Sequence, residues 1–109
     1  MAFEEGLVEL MRGDLAEMPG LSEKRMFGGL AFMLNGNMLC GVHPGGAMYR
    51  VGKDNEPFAL AVPGARRMDF TGRRMGGFVE ADDDAMADDS RRARLTDLAL
   101  DFVRALPAK

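Results

Sequence analysis

Hydrophobic and polar residues along this chain follow two different periods, and the best-defined pattern covers residues 24–42. Two apolar runs flank Asn35-Gly36-Asn37 there. Because Asn and Gly tolerate the positive φ angles of tight turns, this segment predicts a β-hairpin with strands at residues 25–34 and 38–42. In the first strand the even positions are the bulkier, so we expect Met26, Leu30 and Phe32 to face the core.

The odd positions of that first strand are nearly as apolar as the even ones, which favours a strand covered on both sides over part of its length. Gly28 and Gly29 fall inside the predicted strand. Paired glycines in a strand indicate a bulge or a close approach of another backbone. They lack the spacing and the strand-to-helix context of a phosphate-binding loop.

The other segments predict an amphipathic helix at residues 3–17, a third strand at 47–51 and a short helix with Phe58, Leu60 and Ala61 on its apolar side. Two weaker strands follow at residues 68–70 and 77–80. A final helix, capped near Asp88 to Ser90, carries an apolar stripe and stops at Pro107. The predicted fold is α+β, with an antiparallel sheet of about five strands flanked by N- and C-terminal helices.

Composition limits the function classes. The 109 residues predict a single domain over residues 1–109, with a net charge of −3 and one cysteine. An acidic balance argues against a generic nucleic-acid binder, so we expect direct DNA binding to be unlikely for the isolated chain. One cysteine allows no internal disulfide, the acidic N-terminus does not resemble a signal peptide, and no apolar run is of membrane-spanning length. We therefore expect a cytoplasmic protein without membrane contact.

Few residues suggest a catalytic or metal-binding role. Cys40 and His43 lie three positions apart, which on a strand places them on opposite faces, so a buried thiol and a turn histidine are favoured over a catalytic pair. The aspartates between positions 82 and 89 fit helix capping better than a calcium loop. The ten methionines fit core filling better than a functional surface. We predict no catalytic residue, no cofactor and no metal.

Eleven of the fourteen basic residues are arginines. Seven of them occur in three close groups, and arginine is the residue best suited to bidentate recognition of phosphate or carboxylate. Two alternatives remain open for these arginines: they form salt bridges at the surface, or they form a face that recognises acidic groups. The candidate interaction residues are Arg66, Arg67, Arg73, Arg74, Arg91, Arg92 and Arg94.

The stretch Lys24-Arg25-Met26-Phe27-Gly28-Gly29, followed by an alternating strand, an Asn-Gly turn and a return strand, resembles the N-terminal domain of the TfoX family. These proteins, also called Sxy, regulate natural competence, and the likeness covers nearly the whole chain. The motif residues here are Arg25, Met26, Phe27, Gly28 and Gly29. The resemblance implies a small α+β unit, no catalytic residue attached to the motif, and a role in transcription beside a cyclic-AMP receptor regulator.

Two functions follow from these observations. The first is a non-enzymatic regulatory or protein-interaction domain, acting as a homodimer or with a transcription-regulator partner. The alternative is a small-ligand or phosphate binder, possibly an enzyme, that uses the arginine groups and His43. Convergence separates the two: a ligand site needs the arginines in one concave pocket, whereas an interaction domain needs an exposed apolar surface.

Overall fold

The structure is a computed structural model that describes residues 5–16, 18–26, 28–70 and 73–109, with the side chains at 69, 70 and 73–75 outside the description. Four helices are present in these residues: α1 (Glu5–Asp14), α2 (Glu56–Leu60), α3 (Asp83–Ala87) and α4 (Asp89–Val103). The same residues contain six strands: β1 (Leu21–Met26), β2 (Gly29–Leu34), β3 (Asn37–His43), β4 (Gly46–Arg50), β5 (Ala65–Phe70) and β6 (Arg73–Ala81).

The six strands form one antiparallel sheet in the order β1-β2-β3-β4-β6-β5. The first four strands pair with their chain neighbours, as short hairpin connections require. Between β4 and β6 the chain makes α2 and then β5, so β6 returns beside β4 and leaves β5 at the edge. The predicted α+β class with an antiparallel sheet and terminal helices is confirmed.

The predicted single strand at residues 25–34 is wrong. β1 ends at Met26 and β2 begins at Gly29, so the chain reverses between them, and Gly28 adopts a φ of +73° in that turn. Gly29 has no room for a side chain, since a Cβ atom there would lie 1.8 Å from the backbone oxygen of Val42. The glycine pair thus marks a hairpin turn followed by a close backbone approach.

The helices cover one face of this sheet. α4 packs across β3 and β4, α1 packs on β3, and α2 packs on β5 and β6. From β2, the side chains of Leu30, Phe32 and Leu34 enter the main core cluster, as predicted for the first two. Met26 does not join them, because it belongs to β1 and pairs with Gly29, which places it on the opposite face.

The aspartates before the last helix act as caps. Asp82 accepts a hydrogen bond from the backbone N–H of Ala85 at 2.8 Å and begins α3. Asp88 accepts one from the N–H of Arg91 at 3.0 Å and begins α4. Each satisfies a backbone donor that a helix start leaves free. The acidic run therefore encodes two successive helix starts where the sequence predicted one.

Near the N-terminus, α1 runs from residue 5 to 14, inside the predicted span of 3–17, of which residues 3, 4 and 17 lie outside the description. No helix in the described residues is long and apolar enough to cross a membrane.

Candidate interaction surfaces

Arg92, one of the seven predicted interaction residues, lies inside the fold and is only 7% exposed. Its Nε donates to Asp14 at 2.7 Å, its Nη1 donates to the backbone oxygen of Met86 at 2.8 Å, and its Nη2 donates to Asp89 at 2.9 Å. The hydrogen bond to Asp14 is the main reason that the pKa of Arg92 is raised. All three nitrogens of its guanidinium donate hydrogen bonds within the chain, so Arg92 has a structural role.

Arg66 projects from the edge strand β5, and its Nε donates to Oε1 of Glu80 at 3.1 Å. The other carboxylate oxygen lies 3.0 Å from Nε2 of His43. The N–H of Gly45 donates to Nδ1 of the same ring at 3.0 Å, so the neutral imidazole carries its proton on Nε2. Arg67 is exposed on the opposite face of β5, since consecutive residues of a strand alternate.

Arg91 and Arg94 lie one turn apart on α4 and border a groove of about 360 Å³ between α2 and α4. Phe58 and Val62 form its apolar wall. Nε of Arg91 lies 3.6 Å from a carboxylate oxygen of Asp88, whereas Arg94 forms no ion pair with any residue that the structure describes. We call this feature the α2–α4 groove.

Phe58 was predicted on the apolar side of the short helix, and the structure corrects this. α2 has five residues, and its buried positions are Glu56 and Ala59, three residues apart on one side. Leu60 packs against the core, while Phe58 points outward and is 57% exposed. A helix this short has room for only one buried face, and an apolar residue off that face reaches solvent.

The remaining two arginines, Arg73 and Arg74, begin β6, and their side chains lie outside the description. The described arginines do not gather on one surface. Arg66 and Arg67 take opposite faces of an edge strand, Arg92 is buried, and only Arg91 and Arg94 share a surface.

Cys40 and His43 lie on opposite faces of β3. Cys40 pairs with Phe32 and Tyr49 and enters the core cluster, where it is 2% exposed. Burial raises the pKa of this thiol well above its ordinary value. A buried, protonated thiol is a poor nucleophile, and the ring of His43 lies on the other side of the sheet beside Glu80. The arrangement therefore keeps the Cys40 thiol away from this histidine.

A larger cavity, of about 550 Å³, lies where β4 and β6 meet the end of α4. Its charged lining residues are Arg50, Lys53, Asp54 and Asp101, and the amide of Asn55 donates to Asp101 at 3.0 Å. Of the five predicted arginines whose side chains the structure describes, none lines it, nor do the cysteine and the histidine. Within the described residues, no three His, Cys, Asp or Glu side chains lie close enough together to hold a metal ion.

The face of the sheet opposite the helices is rich in methionine. Paired residues of neighbouring antiparallel strands share a face, and one continuous row across the sheet joins Lys24, Ala31, Gly41, Met48, Glu80 and Arg66. The residues of what we call the methionine face are Met26, Ala31, Met33, Met38, Gly41 and Met48.

These methionines were expected to fill the core. Met11 and Met86 do so, but the four on the methionine face do not belong to the core cluster. Met48 is buried because it lies over Gly41: a Cβ atom on that glycine would be 3.2 Å from the methionine's Cε. The apolar odd positions of β2 were visible in the sequence, but the sequence did not show that none of the described helices would pack on them.

A comparison with protein families matched the TfoX N-terminal domain over residues 14–103. The chain belongs to this family. No curated protein and no solved structure matched it.

The TfoX motif now has a structural explanation. Arg25 is exposed near the end of β1 and pairs with Leu30, and Met26 closes the strand opposite Gly29. Gly28 supplies the positive φ of the turn, and Gly29 allows β2 to approach β3. Phe27 lies outside the description. The described motif residues therefore build the β1–β2 hairpin rather than a pocket.

Proposed function

We propose that this TfoX N-terminal domain is a non-enzymatic, regulatory protein-interaction domain that forms a homodimer through its methionine face and works beside a transcription regulator. The observation that carries the proposal is a sheet face of methionines and small residues on which none of the described helices packs. The competing ligand-binding function needs the arginine groups and His43 in one pocket. Arg66 and His43 meet at Glu80, but the other described arginine side chains of the three groups lie on separate surfaces.

The chemistry of the face suits self-association. Methionine side chains are flexible and polarizable, so they repack against an apolar partner surface at little cost. Ala31 and Gly41 are small, so no long side chain projects from the centre of the face. Three of the methionines, Met26, Met33 and Met38, are half-buried in the single chain, and a partner would remove the rest of their surface from water.

Charge favours a second copy as the occupant. Among the described side chains the face has one carboxylate, Glu80, and it is already ion-paired with Arg66, so the centre exerts little attraction on a strongly charged partner. Lys24, at the opposite edge, forms no ion pair with a described residue. A copy turned about an axis parallel to the strands places Lys24 of one chain over Glu80 of the other and keeps the two lysines apart.

Light scattering across a concentration series tests the proposal. We expect a dimer for the native chain and a monomer for the double variant Met33→Glu/Met38→Glu, because charges at a desolvated apolar interface are costly. Ala93→Glu, at an exposed position of α4, is the matched control and should stay dimeric. Circular dichroism verifies that all three are folded. A native chain that is monomeric at high micromolar concentration would disprove the homodimer.

A further inference from the structure

Phe58 is the feature of the fold that packing does not explain. It is the one large hydrophobic side chain that stands out as exposed in the described residues, at 57%. A single exposed apolar residue is common on protein surfaces and indicates nothing by itself. Phe58, however, forms one wall of the α2–α4 groove together with Val62, so its ring borders a concave apolar surface.

The border of the groove is cationic, although the chain as a whole has a net charge of −3. Arg91 and Arg94 approach it from α4. The carboxylate of Asp88 is 3.6 Å from Arg91 and also accepts the N-terminal hydrogen bond of α4, so it neutralises this pair of arginines only in part. Arg94 has no carboxylate partner among the described residues.

An aromatic side chain beside arginines is the composition that dominates binding energy in protein interfaces. We infer that the α2–α4 groove binds an acidic segment of a partner protein. An apolar side chain of that segment packs against Phe58 and Val62, and its carboxylates accept hydrogen bonds from Arg91 and Arg94. Two cations around an apolar groove suit a peptide better than a nucleic acid, whose affinity depends on many phosphate contacts.

The inference rests on the proposed function as an interaction domain but not on the homodimer. The groove lies in the helix layer, whereas the methionine face lies on the other side of the sheet. A dimer formed through the methionine face therefore leaves both grooves open, and a monomeric variant keeps one intact.

Fluorescence anisotropy with labelled synthetic peptides tests the groove on the full chain. The probe is a 12-residue peptide with glutamates on both sides of a central Leu-Leu pair. One control peptide replaces the glutamates by glutamine, and a second replaces the leucines by serine. We expect the acidic apolar peptide to bind at least about tenfold more tightly than either control, since losing a buried contact or a charged hydrogen bond costs this much.

Variants locate the site. Phe58→Ala and Arg94→Glu should each lower the affinity for the acidic peptide roughly tenfold or more. Arg104→Glu, an exposed arginine at the other end of α4, is the charge-matched control and should change it less than about twofold. Thermal melts confirm that the variants are folded, as expected for positions that contribute little to the core.

Three results would overturn the inference: no peptide binding, equal binding of the acidic and glutamine peptides, or equal losses in Arg94→Glu and Arg104→Glu. Duplex DNA that competes for the groove more strongly than the acidic peptide would assign it to nucleic acid instead. The monomeric Met33→Glu/Met38→Glu variant should still bind the peptide. This result separates the two proposals, because a native monomer that binds the peptide disproves only the homodimer.

Discussion

The guanidinium of Arg92 on α4 donates two hydrogen bonds to the carboxylate of Asp14 at the end of α1, at 2.7 and 3.2 Å. The two residues are 78 positions apart in the chain, so this ion pair connects the N-terminal helix α1 to the C-terminal helix α4. The same guanidinium bonds the backbone oxygen of Met86 in α3. One side chain therefore fixes three helices relative to one another.

Arg92→Met should destabilise the protein by about 3 kcal/mol, because removing one partner of a largely buried ion pair leaves the other without compensation. Denaturant unfolding measures the loss. Arg94→Met, one half-turn further along the same helix and exposed, is the control and should remain within about 0.5 kcal/mol of the native chain. Equal effects of the two substitutions would show that the pair with Asp14 contributes little.

Phe32→Ala should cost roughly 3–5 kcal/mol, because the ring is 0% exposed in the core beneath the helices and its loss leaves a cavity. Unfolding in urea provides the measurement. Met33→Ala is the matched neighbour, since its side chain points to the other face and is half-buried, and we expect a smaller loss in the monomer. A loss under about 1 kcal/mol for Phe32→Ala would contradict the assigned strand phase.

The sheet could be predicted from the sequence where its strands are buried, and not where they are exposed. The apolar runs on both sides of the Asn-Gly turn predicted β2 and β3, and the alternation at residues 47–51 predicted β4. β1 was missed because all of its residues are exposed or half-buried, so it carries no hydrophobic period. It is held by its pairing with β2 and by Arg12 of α1, whose Nε and Nη2 both donate to Glu23 at 2.8 Å.

The candidate surfaces could be predicted less well from the sequence than the sheet. Arginine spacing placed Arg91, Arg92 and Arg94 in one group, but a helix turns by about 100° per residue, which sends Arg92 inward while the other two remain at the surface. Phe58 was misplaced because five helical residues are too few to define a period. The methionine face depends on which side of the sheet the helices cover, and only the assembled fold shows that.

Cys40 should react slowly with thiol reagents in the native protein and rapidly after unfolding, because burial raises the pKa of its thiol and excludes the reagent. Absorbance with an aromatic disulfide reagent measures both rates. The matched substitution, Ala93→Cys in a Cys40→Ala background, places a thiol at an exposed position of α4 and should react faster. Rapid labelling of native Cys40 would contradict the core position.

The same thiol makes the free energy of unfolding depend on pH in the alkaline range. Below about pH 8.5 the thiol is protonated in both states, and its contribution to stability is complete. Above that pH the unfolded chain releases the proton while the native thiol holds it, so the free energy of unfolding falls by up to about 1.4 kcal/mol per pH unit. Urea unfolding between pH 8 and 10 should show this slope for the native chain and a flatter one for Cys40→Ala.

The isolated chain should have no useful affinity for duplex DNA at physiological salt. Binding through six to ten phosphate contacts weakens about 10³–10⁵-fold between 50 and 200 mM salt, and few of the candidate arginines with described side chains are free to make such contacts. Arg92 is buried and Arg66 is bonded to Glu80, while Arg91 and Arg94 border a groove with apolar walls.

A fluorescence titration with labelled duplex DNA at low and physiological salt measures this. It compares the native chain with Arg73→Ala/Arg74→Ala, which removes the two arginines at the start of β6, and with Arg91→Ala/Arg94→Ala, which removes those of the groove. We expect weak binding at low salt for the native chain and none at physiological salt for any of the three. Sub-micromolar binding at physiological salt that either double variant abolishes would make those arginines a nucleic-acid site, and regulation would then act on DNA directly rather than through a protein partner.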